Sequence, residues 1–487
     1  MLTMVARISP YPIPELKEFL RPFRPHFYRC ESLPVLERYA TGLLADIARK
    51  SGAGIAEAVA GLSESAVYRL LAQSTWDEAA VNRQRIGVMV TQATAGDGML
   101  VFDETSFPRQ GPKSVGVAHQ YCGVLGKTAN CQVVVTAHYM DPYYAWPALG
   151  QLYLPEEWCQ DPERRATARV PEKLSFHTKP ELALLLLDQA QAAGIPFAWV
   201  GADAGYGDNP NFLDGLDQRQ VGCVVGIASD FGVRLLPEVA AAARQPLPVK
   251  KQAGRPRTHP HPVHVAPLHR AAAVLASQPA SAWHTITWRM GSTGPLTKQF
   301  SALRVRRSHA DQTGPEGWLI GERPLPEQEG EPKFYWSNLP ATTPVARLAE
   351  LAHRRPGVER SYQDGKGQTG LGDYVARLWH SFHRQLTIEM LVHSWLLLQQ
   401  SPPATTEIVI DPRPVQASDE PVFPLRPGPV RQRRRRSASG LRILAQRIGA
   451  LVGPKRPNRY LGAGWPTPPA GWRSFRQYRH LTIKTMQ

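Results

Sequence analysis

Three acidic residues carry the chemistry this chain could do. Glu359 has Arg355 four residues before it and Lys366 seven after it. On a helix both cations can lie near the face that carries the carboxylate. A carboxylate between cations suits a site where a metal ion and a phosphodiester meet: the acid holds the metal, and the bases hold the phosphates. Asp103 ends the apolar run of residues 99–102, and Asp203 ends the apolar run of residues 197–202. Either Asp alone reads as a loop residue or turn former. Two such aspartates together with a cation-flanked glutamate are much harder to obtain by chance.

These side chains need elements to position them. Both runs are short, apolar and partly β-branched, as in buried strands, with the charge at the exit. If the strands are neighbours in one sheet, both carboxylates project over the same edge. A glutamate from a packed helix then completes a three-carboxylate site for hard divalent cations.

The pattern along the chain divides it. Residues 1–95 read as all-α. Within them, Ser63 caps the second helix of a helix-turn-helix-like unit whose outward residues are Ser65, Tyr68 and Arg69. The unit reads as the DNA-binding part of this domain, with Tyr68 and Arg69 facing DNA; two packed helices with a tight turn are the alternative. Residues 96–400 read as α/β: strands at 99–103, 120–123 and 131–139, a helix over 180–193 with Gly194 as its stop, strands at 200–203 and 221–227, and an apolar helix over 385–400. A β-rich insertion over 230–342 interrupts this unit and begins with a Pro/Lys/Arg/His-rich stretch. There, Gly254 to Arg257 could enter a minor groove or simply form a solvated loop. Residues 401–487 read as a Pro-rich linker and a basic tail with the block Arg433–Arg436.

The ordered motifs resemble bacterial insertion-sequence transposases of the DDE type, in the branch with a Tyr-Arg-Glu-Lys signature. Arg355, Glu359 and Lys366 match its last three positions. Ala352 stands where the Tyr would be, with His353 and Tyr362 as neighbouring substitutes. Other matching segments are Val101 to Thr105, Gly116 to Gln132, Ala202 to Gly207, and Gly370 to His383. The resemblance spans roughly residues 15 to 400. It implies an RNase H-like mixed sheet flanked by helices, and two Mg²⁺ or Mn²⁺ ions on Asp103, Asp203 and Glu359. It also implies phosphate contacts by Arg355 and Lys366, and cut-and-paste movement by a homodimer on transposon-end and target DNA. In relatives that form hairpins an aromatic of the insertion holds a flipped base; Trp288 and Trp283 are the candidates. An inactive relative kept as a DNA-binding regulator, or an RNase H-like nuclease without strand transfer, are the alternatives.

Composition agrees with a polyanionic partner. Lys and Arg number 57 against 41 Asp and Glu, for a formal net charge of +16. The five cysteines form no Cys-x-x-Cys or Cys/His cluster, which argues against disulfides and structural zinc. No apolar stretch reaches spanning length, and the N-terminus lacks signal-peptide regions, so the expected setting is cytoplasmic with no membrane partner.

Overall fold

The computed structural model describes residues 8–9, 13–93, 96–142, 144–244, 265–291, 294–309 and 312–399. The Gly254–Arg257 strip, the Arg433–Arg436 block and the aromatic tail lie outside the described residues.

A mixed α/β architecture is built on one twelve-stranded sheet. The strands are β1 (Gly98–Pro108), β2 (Ala118–Cys122), β3 (Lys127–Met140), β4 (Ala145–Leu152), β5 (Phe197–Ala202), β6 (Gly222–Ile227), β7 (Gly232–Leu235), β8 (His269–Arg270), β9 (His284–Met290), β10 (Pro295–His309), β11 (Gln312–Arg323) and β12 (Lys333–Ser337). The sheet order is β2-β3-β1-β5-β6-β12-β11-β10-β7-β8, with β4 on β3 and β9 on β10. β1, β5 and β6 run parallel, while β3 and β4 are antiparallel neighbours. This is the RNase H-like mixed sheet that the sequence predicts.

Three details depart from the sequence reading. β4 was not anticipated, because Pro147 and Gly150 interrupt its pattern. Pro is tolerated there since, among the described residues, β4 pairs only with β3 and is an edge. Gly150 is needed because a Cβ would stand 2.9 Å from Leu386 Cδ2, on the long helix that packs there. The β-rich segment continues the core sheet, with β12 antiparallel to β6. The apolar helix starts earlier than expected and spans Trp379–Leu398.

Capping fixes the crossover helix Lys179–Ala192. Thr178 and Glu181 form a capping box, Pro180 sits in the first turn, and Gly194 follows with φ +70°. The Trp379–Leu398 helix is buried along nearly its whole length. It packs against β4 and against the N-terminal helices Ser32–Leu44 and Glu78–Val90. Arg85 of the latter is fully buried, donating to the Pro147 and Ala148 carbonyls at 2.9 and 2.5 Å and to Ser394 Oγ at 3.0 Å. The N-terminal helices therefore share a hydrophobic core with the sheet.

Candidate active site

Strand register brings the two aspartates together. β1 and β5 are parallel, with Leu100 opposite Val200 and Val101 opposite Gly201. Two residues further along, the same register sets Asp103 level with Asp203. β5 ends at Ala202, and Asp203 caps the next turn, accepting from Gly205 N at 2.9 Å. Asp103 is not at a strand end: β1 continues to Pro108, so the residue lies mid-strand, just past its ladder with β5. This corrects the expected position while keeping both carboxylates at one edge.

Glu359 stands in the first turn of the helix Gly357–Asp364. Arg355 precedes that helix, and its guanidinium lies among all three acids. Nη2 is 2.8 Å from Asp103 Oδ2 and 3.8 Å from Asp203 Oδ2, and Nη1 is 3.7 Å from Glu359 Oε1. The Asp103 side chain is 11% exposed and that of Glu359 64% exposed. Burial pushes the Asp103 carboxyl up to about 6, with Asp203 adding to the rise; Arg355 opposes it.

Among the described residues no group of three or more His, Cys, Asp or Glu is arranged to hold a metal ion. The three acids converge on one cation instead of on each other. Their chemistry nevertheless fits a hard divalent ion: all are carboxylate oxygen donors, already drawn to a single positive centre.

Lys366 falls in the π-helical turn Gly365–Thr369 that continues the Glu359 helix, a distortion frequent at functional sites. Its ammonium is half-buried, 5.9 Å from the ring centres of Phe107 and Tyr362. Burial lowers its pKa to about 8.

The remaining candidates are scattered. Ser63 caps the helix Glu64–Tyr68, and Ser65, Tyr68 and Arg69 are exposed as expected. Trp288 is half-buried and stacked on His353, with centroids 3.8 Å apart and planes at 10°. Trp283 is half-buried and lies under the Arg323 guanidinium. Ala352, at the signature's Tyr position, is buried. Tyr362 is buried too, with its hydroxyl 2.5 Å from Thr136 Oγ1, so it faces the interior.

Sequence reasoning missed Glu104. It accepts from Lys179 Nζ at 2.7 Å and Tyr206 OH at 2.9 Å, joining β1 to the start of the crossover helix. Its position beside Asp103 was the available signal.

Comparison with known proteins bears on this geometry. A family model described as DDE superfamily endonuclease matches residues 22–295. A probable transposase for insertion sequence element IS701, from Microchaete diplosiphon, is 28% identical over 221 residues. That alignment covers 45% of this chain, which thus spans about half (55%) of the relative's length.

Proposed function

The chain belongs to the DDE superfamily of endonucleases, and from that premise we propose that it cuts the DNA ends of a mobile element and joins them to target DNA. The observation that carries this reading is the gathering of Asp103, Asp203 and Glu359 within 4 Å of one guanidinium. Endonucleases of this superfamily generally use divalent metal ions.

Asp103, Asp203 and Glu359 would hold two Mg²⁺ or Mn²⁺ ions. Such ions supply the activation of a water or 3′-hydroxyl nucleophile and the stabilisation of the leaving oxygen. The protein's own part is to place charge. Asp103 and Asp203 are fixed by a shared strand register, and Glu359 approaches from a helix. Arg355 neutralises the acids and turns its remaining donors to a phosphate. Lys366 holds a second phosphate further along the same helix. Tyr68 and Arg69 would contact DNA from the N-terminal helices, and Trp288 would hold a flipped base. A homodimer on DNA brings two ends together.

The test uses a duplex carrying the element's ends and a target plasmid. Wild-type protein should nick the ends with Mg²⁺ and join the free 3′-hydroxyl to the target. Glu359→Gln should bind the ends and do neither. Binding without nicking by wild-type protein would make it a DNA-binding regulator, and nicking without joining would make it a plain nuclease.

A further inference from the structure

Tyr362 lies three residues after Glu359 on the same short helix, yet it points away from the site's solvent edge. Its hydroxyl sits 2.5 Å from Thr136 Oγ1. Thr136 donates to the Asp103 carbonyl at 3.3 Å, which leaves it to accept from Tyr362. Thr136 is also the residue directly opposite Asp103 across the β1–β3 ladder. Two hydroxyls thus join the backbone that carries Asp103 to the helix that carries Glu359.

The surroundings give this link weight. Tyr362 and Thr136 line a cavity of about 20 Å³ together with His138, Ser361, Glu389 and His393. Both ring nitrogens of His138 and Ser361 Oγ are buried without a hydrogen-bond partner among the described residues. The helix packs on the sheet through Val358 and Tyr362, in one buried cluster with Val101 and Met140. Apolar packing is non-directional, and the Tyr362–Thr136 hydrogen bond adds a directional link to it.

We propose that Tyr362 is a positioning residue for Glu359, acting through Thr136 to set the spacing of the Glu359 and Asp103 carboxylates. The inference rests on the reading of those carboxylates as a metal site. It assigns this chain's buried tyrosine a structural link to the site in place of a phosphate contact.

The experiment is Mn²⁺ binding to the full chain, followed by electron paramagnetic resonance well below the melting temperature, alongside end-DNA binding without metal. Removing an outer partner of a metal ligand typically costs about 10–100-fold in affinity. Tyr362→Phe should therefore weaken Mn²⁺ binding by about tenfold and leave metal-free DNA binding unchanged. Thr136→Ser should keep wild-type affinity, because it retains the hydroxyl. Thr136→Val should match Tyr362→Phe, and the double variant should be no weaker than either. If Tyr362→Phe does not fold, Thr136→Val carries the test. Wild-type Mn²⁺ affinity in the folded single variants overturns the positioning role while leaving the metal reading intact. Absence of Mn²⁺ binding by wild-type protein overturns both.

Discussion

Arg355 and Asp103 form an ion pair of 2.8 Å where β1 runs on past the end of β5, with the aspartate side chain 11% exposed. The same guanidinium reaches Asp203 and Glu359. On the proposed reading, it engages the same carboxylates as a divalent cation. Removing one partner of such a pair leaves partly buried negative charge uncompensated.

Arg355→Ala should make the protein more dependent on divalent cations. Its melting temperature without metal should fall, and the rise on adding Mg²⁺ should exceed that of wild type, since binding to the folded state stabilises it. Melts with and without Mg²⁺ check this. Equal Mg²⁺ shifts in the two proteins would show that Arg355 does not share the carboxylates with the metal.

Lys366 should make DNA binding sensitive to mild alkali. Burial lowers its pKa to about 8, so the ammonium is charged below that pH and lost above it. Affinity for end DNA should fall as the pH rises from 7 to 9. Lys366→Arg should flatten the profile, because a guanidinium stays charged. A pH profile identical in both would exclude Lys366 as a phosphate ligand.

His138 and His393 should weaken the fold in acid. Burial holds His138 at about 3, with His393 and Arg85 adding to it, and holds His393 at about 4. Both lie below the ordinary value of 6.5, so the unfolded chain takes up protons first. Their contribution is present above pH 6.5 and is lost as the pH falls from there toward 4. Each histidine contributes up to about 1.4 kcal/mol per pH unit in that window. Asp103, raised to about 6, acts in the opposite sense. Comparing urea melts of wild type and His138→Met therefore isolates the histidine: the variant should lose less stability between pH 6.5 and 4.

The parts of this molecule legible in its sequence are those set by local chemistry. The strand through Asp103 and the strand that ends just before Asp203 follow from apolar runs. The crossover helix follows from Thr178, Pro180 and Gly194, and the Glu64–Tyr68 helix from Ser63. What escaped depends on distant partners. β4 hides behind Pro147 and Gly150 until its edge position and the close approach of Leu386 are known. Arg85 looks like a surface cation because the carbonyls that bury it lie about sixty residues away. The Thr136–Tyr362 bond spans 226 residues. Arg355 was legible as a neighbour of Glu359, but its contacts with Asp103 and Asp203 arise only when the helix docks on the sheet.

The central claim is that Asp103, Asp203 and Glu359 hold the same metal site. Local backbone cleavage by Fe²⁺ with ascorbate and peroxide tests it most directly, since a bound iron cuts the chain beside its ligands. The expected fragments end near residues 103, 203 and 359, and excess Mg²⁺ suppresses all three together. Cuts confined to one of these positions, or lying elsewhere and indifferent to Mg²⁺, would contradict the account.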